Sequence, residues 1–130
     1  MSNDVVYLAW TALLTGLLWI PYVVCQITTH GPLTPENFRD PTPREVPAWG
    51  KRAYRAHQNA VEAFAPFATL VFAAHLVGKA DNWTAIWAGV FFWARLAHAV
   101  VFLLGVPHVR TMLFSIGSAA IVGLFWNVIH

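Results

Sequence analysis

The chain has 130 residues, of which 58% are hydrophobic and only 11% are charged. Soluble domains carry about 25% charged residues, so this composition excludes an ordinary soluble domain and favours a membrane protein. The formal net charge is +2 at pH 7, which in a soluble protein would suggest nucleic acid. Here the basic residues are concentrated in one connection and indicate topology instead. We therefore predict membrane lipids as partners and no nucleic acid.

Four stretches are apolar and long enough to cross a bilayer as helices, which takes about 20 residues. The apolar stretches are residues 5–27, 60–77, 83–104 and 112–129, and the predicted spans, which include polar ends, are at about residues 5–27, 50–78, 83–104 and 108–129. The predicted fold is all-α, with residues 1–130 forming a single domain, an integral membrane four-helix bundle. The connection at about residues 29–48 is rich in proline, which predicts extended, turning backbone rather than helix.

The N-terminal residues, the single cysteine and the histidines exclude further kinds of segment and site. No basic residue precedes the first apolar stretch, so we do not expect a cleaved signal peptide. Cys25 is the only cysteine, which leaves no disulfide framework and no cysteine metal site. The histidines share no ligand spacing, and we predict no metal site.

Basic residues mark one side of the membrane. They follow the first and third apolar stretches at Arg39, Arg44, Lys51, Arg52, Arg55 and Arg110. The link between the second and third stretches carries only Lys79. By the positive-inside rule, the loops between spans one and two and between spans three and four are predicted to be cytoplasmic. Both termini then face outward, and in a bacterium the membrane would be the inner one.

Three polar residues lie at the start of the second predicted span. Arg55, Asn59 and Glu62 are spaced i, i+4 and i+7, which places their side chains on one face of a helix. An Arg or an acid at the bilayer centre costs roughly 2.5 to 3.5 kcal/mol, and less near the interface. Such residues therefore point to a function.

Up-down threading of the four spans is expected to bring every strongly polar membrane residue to the same end and to roughly the same depth. Arg95 and His98 lie in the cytoplasmic half of span three, and Arg110 with Thr111 begins span four. The resulting pocket would be net cationic, and its natural ligand is an anion, since Arg matches carboxylates in bidentate geometry. Together with an amide and an acid, this inventory fits a zwitterionic molecule with several carboxylates.

A simpler explanation of the same residues is charge neutralisation. Glu62 could pair with Arg55 or Arg95 and lock the second helix against the third. One acid cannot neutralise three arginines, so this pairing does not account for the whole set. A third possibility, a small proton-coupled exporter, needs a titratable acid deep in a membrane helix, and span one has none.

Three separate motifs resemble those of one known family. Residues 51–62 read KRAYRAHQNAVE and are followed by PF at 66–67, residues 94–98 read ARLAH, and residues 105–111 read GVPHVRT. This pattern resembles the MAPEG family, the membrane-associated proteins in eicosanoid and glutathione metabolism, and in particular a bacterial-type member. The resemblance implies a homotrimer of four-helix subunits that binds glutathione between neighbouring subunits at the cytoplasmic side.

The resemblance also implies roles for individual residues. Glutathione, as co-substrate, would be bound by Arg55, Gln58, Asn59, Glu62, Arg95 and His98. Glu62 would hold its amino group. A free thiol near pKa 8.5 is mostly protonated at neutral pH, so Arg110, helped by the Thr111 hydroxyl, would lower that pKa and act catalytically. A lipophilic small-molecule substrate would enter from the lipid.

The chain also departs from the family pattern. Phe102 and Phe114 stand where the eukaryotic enzymes have tyrosines, and Gln58 stands where one prostaglandin-forming member has an arginine. Two functions follow as hypotheses. One is a membrane glutathione S-transferase or peroxidase acting on lipophilic electrophiles or lipid hydroperoxides. The alternative is a non-catalytic membrane protein that binds glutathione or an anionic lipid.

Overall fold

A computed structural model describes residues 2–130, so Met1, which the predicted domain includes, lies outside the described residues. The described chain is helical and without strands. Its helices are α1 (Asn3–Leu17), α2 (Trp19–His30), α3 (Pro35–Phe38), α4 (Ala48–Leu76), α5 (Asn82–Leu104) and α6 (Pro107–Ile129). Within residues 2–130, four helical segments are long and apolar enough to cross a membrane: α1 with α2, α4, α5 and α6. The predicted all-α membrane four-helix fold is confirmed.

The first span is not the continuous helix that its hydropathy predicts. It divides at Leu18, where α1 ends and α2 begins. Pro21 explains the break, because proline has no N–H to donate to the carbonyl of Leu17 and its ring clashes with that carbonyl. Beyond the break, α2 packs against α4, and the buried Cys25 lies so close to Gly50 that any side chain at Gly50 would collide with it.

The first connection contains one turn of helix, α3, where the sequence predicts extended backbone only. That prediction is wrong at Pro35–Phe38. Pro35 occupies the first turn, where its fixed φ suits a helix and its missing N–H costs nothing. Arg44 closes the turn by donating to the carbonyl of Asn37 and by lying over the ring of Phe38 at 5.2 Å.

The core lies between α4, α5 and α6, with α1 on its flank. Phe67 stacks on Phe91 with ring centroids 4.1 Å apart and an interplanar angle of 11°. Both rings are fully buried, together with Val71, Ala88, Ala120 and Leu124. Dispersion and close packing hold this region together, because lipid tails leave little hydrophobic driving force between membrane helices.

Truncating the core ring tests this packing. We expect Phe91→Ala to lower the free energy of unfolding by about 3–5 kcal/mol, because it removes a buried ring and leaves a cavity. The matched control is Phe72→Ala, since Phe72 is 60% exposed on the surface of α4. Denaturation in mixed micelles measures both. Equal losses in the two variants would contradict the assignment of the core.

Tight turns connect α4 to α5 and α5 to α6, and the second of them lies next to the start of α4. Asp81 caps α5 by accepting from the backbone N–H groups of Trp83 and Thr84. At the other end Gly105 adopts φ 79°, a left-handed conformation that suits glycine at the end of a helix. Arg52 lies against this turn and donates from Nε to the carbonyl of Leu103 at 3.1 Å. The start of α4, the end of α5 and the start of α6 therefore meet at this turn.

Candidate anion-binding site

A cavity of about 400 Å³ opens where the start of α4 meets the α5–α6 turn. We call it the cationic pocket. It is lined by Lys51, Arg52, Arg55, Asn59, His98, Phe102, Arg110, Thr111 and Phe114. Four of these nine side chains carry a fixed positive charge and none carries a negative one. This charge inventory favours an anionic ligand, and above all one with carboxylates.

The α4 wall of the pocket contains two cations that sequence reasoning used only as markers of topology. Lys51, Arg55 and Asn59 follow one another at intervals of four residues, and Arg52 lies seven residues before Asn59. All four line the cavity. Helical spacing places them on one face, so the same rule that selected Arg55 and Asn59 could have added Lys51 and Arg52.

Arg95 lies behind the pocket wall rather than in it. Its side chain is 4% exposed, and its Nη2 donates to Oδ1 of Asn59 at 2.8 Å. Its Nε has no hydrogen-bond partner in the described residues. Because the carbonyl oxygen of the Asn59 amide is occupied, the amide group of Asn59 is left to donate to a ligand. Arg95 therefore positions Asn59.

His98 is buried and lines the pocket. Only 2% of it is exposed, and its ring lies 5.4 Å from Phe102 and 6.4 Å from Phe114, between ring centroids. Its Nδ1 makes no hydrogen bond within residues 2–130. A buried polar atom without a partner costs about 1–3 kcal/mol. A ligand with a complementary polar group would remove that cost.

Arg110 lies in the first turn of α6, half-buried at the edge of the pocket. Its guanidinium carbon lies 4.6 Å from the centroid of the Phe102 ring, a cation–π contact that holds the charge in place. The first turn of α6 adds backbone N–H groups without intrahelical acceptors. Phe102 thus supplies no hydroxyl but fixes the orientation of Arg110.

Thr111 also lines the pocket, but its hydroxyl hydrogen is engaged. Thr111 Oγ1 donates to the carbonyl of Pro107 at 3.2 Å. In this rotamer the hydroxyl can accept a hydrogen bond from a ligand, whereas it cannot donate one to a sulfur anion. The helping role predicted for Thr111 would therefore require a different rotamer.

Besides Arg95, two further predicted ligand residues lie outside the pocket of this chain. Glu62 is exposed, and within residues 2–130 it forms no ion pair, so the neutralising pairs with Arg55 or Arg95 are absent. It is one helical turn deeper than Asn59, beyond the end of the cavity. Gln58 points elsewhere and donates to the hydroxyl of Tyr54 at 3.0 Å. Helical spacing predicts a shared face for Arg55, Asn59 and Glu62 but cannot give the depth at which the cavity ends.

A second polar cluster lies at the opposite end of the bundle, which corrects the expectation that all strongly polar membrane residues gather at one end. Nε2 of His75 and Oδ2 of Asp4 are 2.5 Å apart, and Asp4 is 3% exposed. Asn127 donates to Thr84 Oγ1 at 2.8 Å and to the carbonyl of Lys79 at 3.1 Å. Each of these residues lies within or beside a span end, where sequence spacing predicts no partner.

The fold and the pocket define an integral multi-pass membrane protein with a cation-lined cavity at one end of a helical bundle. Residues 5–130 match the MAPEG family. The chain therefore belongs to this family of membrane proteins in eicosanoid and glutathione metabolism, as its three motifs indicate. No curated protein matches it.

Proposed function

We propose that the protein binds glutathione in the cationic pocket and uses it as a membrane S-transferase or peroxidase. The observation that carries this proposal is a cavity with four cations and no acid in a MAPEG chain. Glutathione has two carboxylates, one ammonium group and one thiol, so it is a net anion. Its substrates would be lipophilic electrophiles or lipid hydroperoxides, which reach the protein through the bilayer.

The pocket supplies groups for each polar part of this ligand. Arg55 and Arg52 offer planar donors to carboxylates, while the free amide hydrogens of Asn59 suit a peptide carbonyl. The orphaned Nδ1 of His98 supports a ligand hydrogen bond at the inner wall. Lys51 is paired with Glu45 at 3.1 Å, so Arg52 and Arg55 are the cations available for the two carboxylates, which leaves Arg110 for the sulfur.

Arg110 is the proposed activating residue. A cation held near the sulfur favours the thiolate over the thiol, with the proton passing to water, and the low-dielectric site strengthens that effect. In the transferase reaction the sulfur attacks the electrophilic carbon and the leaving group departs. In the peroxidase reaction two glutathione molecules are oxidised to the disulfide, while the hydroperoxide is reduced to an alcohol and water.

We also propose a homotrimer in which Glu62 serves a neighbouring subunit. Glu62 is an exposed acid on a membrane-spanning helix, without an ion-pair partner in the described chain. An acid facing lipid is costly, so a second subunit covering this face would stabilise it. There Glu62 could bind the ammonium group of glutathione, and Gln58 could add a contact from the same helix.

The proposed membrane orientation follows from the distribution of Lys and Arg between the two ends of the bundle. Lys51, Arg52 and Arg55 lie at the pocket end, whereas Lys79 is the only Lys or Arg in the link at the other end. The positive-inside rule then makes the pocket cytoplasmic and both termini outward. In a bacterial-type member of the family, the membrane would be the inner one.

Glutathione binding and turnover test the proposal together. Calorimetry of the purified protein in detergent should give saturable binding, and a chlorinated dinitrobenzene should be conjugated in a glutathione-dependent reaction. We expect Glu62→Gln to weaken glutathione about tenfold, because it removes the partner of the ammonium group. Glu36→Gln is the control, since Glu36 is an exposed acid in the first connection.

The outcomes separate the parts of the proposal. Absence of glutathione binding to the wild type would overturn the function. Normal binding to Glu62→Gln would remove Glu62 from the site and leave the cationic pocket in place. Loss of binding in the Glu36→Gln control would show that the effect of Glu62 is not specific.

A non-catalytic binding protein is the second candidate, and two residues favour it. Phe102 and Phe114 border the pocket without offering a hydroxyl to a reacting group. Under this alternative, calorimetry would detect glutathione or an anionic lipid, while a panel of electrophiles and hydroperoxides would give no turnover. Measurable turnover with any member of that panel would exclude it.

A further inference from the structure

A second cavity, of about 520 Å³, lies between the start of α5 and the end of α6. We call it the tryptophan cavity. It is lined by Trp83, Trp87 and Trp126 together with Lys79, Asp81, Gly123, Asn127 and His130. It lies at the end of the bundle opposite the cationic pocket, where two spanning helices leave the membrane. Nothing in the proposed glutathione chemistry uses it.

The charges of the tryptophan cavity differ in kind from those of the cationic pocket. Lys79 and Asp81 line it together, so one fixed positive charge and one fixed negative charge face the same space. Aromatic faces attract ammonium groups, and Trp83 is about 60% exposed, whereas one face of Trp126 is stacked on His130 with ring centroids 3.6 Å apart. The complementary ligand carries a phosphate and an ammonium group and has an apolar body.

The carboxylate of Asp81 is held in a fixed position. Its Oδ1 accepts from the backbone N–H groups of Trp83 at 3.0 Å and Thr84 at 3.2 Å. Thr84 in turn accepts from Asn127, which ties the end of α6 to this site. All hydrogen bonds to the Asp81 carboxylate within residues 2–130 use Oδ1, so Oδ2 is available to accept from an N–H donor outside the chain.

We propose that the tryptophan cavity binds the headgroup of a zwitterionic glycerophospholipid with a primary ammonium group, as in phosphatidylethanolamine. Lys79 binds the phosphate, and Asp81 Oδ2 accepts from the ammonium. A primary ammonium has N–H groups to donate, whereas a quaternary one has none, and this distinction favours ethanolamine over choline. The tryptophan rings cover the glycerol and upper acyl region at the membrane interface.

Native mass spectrometry of the purified protein tests this binding. The protein is exposed to equal amounts of phosphatidylethanolamine, phosphatidylcholine and phosphatidylglycerol with identical acyl chains. We expect the wild type to retain phosphatidylethanolamine preferentially, and Asp81→Asn to retain about fivefold less of it, the loss typical of one accessible ion pair. Asparagine is also a good N-cap, so this variant removes the charge and keeps the helix start.

Matched variants complete the test. Asp40→Asn removes the same charge from the first connection, far from the cavity, and should leave lipid retention unchanged. Lys79→Gln should also reduce phosphatidylethanolamine retention, which gives a second variant if Asp81→Asn fails to fold. Glutathione binding should be unaffected in both cavity variants, so the two sites are tested independently.

Two results would overturn the proposal. One is equal or stronger retention of phosphatidylglycerol by the wild type, since an anionic headgroup has no ammonium for Asp81. The other is wild-type retention of phosphatidylethanolamine by a folded Asp81→Asn or Lys79→Gln protein. Retention of phosphatidylcholine equal to that of phosphatidylethanolamine would contradict the role of the N–H donor.

Discussion

Replacing Arg110 with alanine is expected to lower kcat/KM for glutathione conjugation by about 10²- to 10³-fold, the range for loss of one preorganised electrostatic group in an active site. The reason is local. The guanidinium carbon of Arg110, in the first turn of α6, lies 4.6 Å from the centroid of the Phe102 ring. The guanidinium would stabilise the sulfur anion directly. The ultraviolet absorbance of bound thiolate should decline with the rate, which links the defect to the pKa of the thiol.

Two further variants separate charge from geometry at this position. Arg110→Lys keeps the positive charge but lacks the planar guanidinium that lies over Phe102, so its rate should fall between those of wild type and Arg110→Ala. Arg39→Ala removes an exposed cation of the first connection and should leave the rate unchanged. A wild-type thiolate signal in Arg110→Ala would exclude Arg110 as the activating residue.

Asn59→Ala is expected to cause the largest loss of stability among the pocket variants. It removes the only hydrogen-bond partner that the Arg95 side chain has in the described residues. Breaking a buried charged pair by removing one partner costs roughly 3–5 kcal/mol, and a neutral partner places Asn59 at the lower end of that range. Unfolding of the purified protein in mixed micelles measures the change.

Asn59→Asp separates the structural role of Asn59 from its proposed role in glutathione binding. A carboxylate at position 59 would form an ion pair with Arg95, so the free energy of unfolding should be maintained. The same carboxylate would add a negative charge to the pocket wall and weaken glutathione. Asn37→Ala, in the first connection, removes an exposed amide bonded to Pro32 and should change neither quantity. Unchanged stability in Asn59→Ala would contradict the positioning role of Arg95.

Hydropathy was sufficient to predict the four spans, because a bilayer allows few alternatives to apolar helices of this length. The observed helix ends lie within about three residues of the predicted span ends. The break at Leu18 escaped prediction because proline is tolerated in membrane helices and Pro21 leaves hydropathy almost unchanged. The helical turn at Pro35 escaped it because the surrounding prolines favour extended backbone.

The residues of the candidate pocket were predictable only in part, since Lys51 and Arg52 were missed as lining residues, and its geometry was not predictable. Spacing placed Arg55 and Asn59 on one helix face, and charge suggested an anion. Spacing alone could not reveal that Arg95 lies behind Asn59, or that Glu62 lies beyond the cavity, because both depend on how α4 and α5 are rotated and packed. The cation–π contact of Arg110 with Phe102 joins two helices and has no local signature in the sequence.

The break at Leu18 also divides the first span mechanically. On one side of it, α1 packs against both α4 and α5, whereas α2 packs mainly against the cationic end of α4. A displacement of that end of α4 by a ligand would be transmitted to α2 through the tight contact between Cys25 and Gly50. Because Pro21 removes a helical hydrogen bond there, Leu18 is the point at which the first span can bend at the lowest cost.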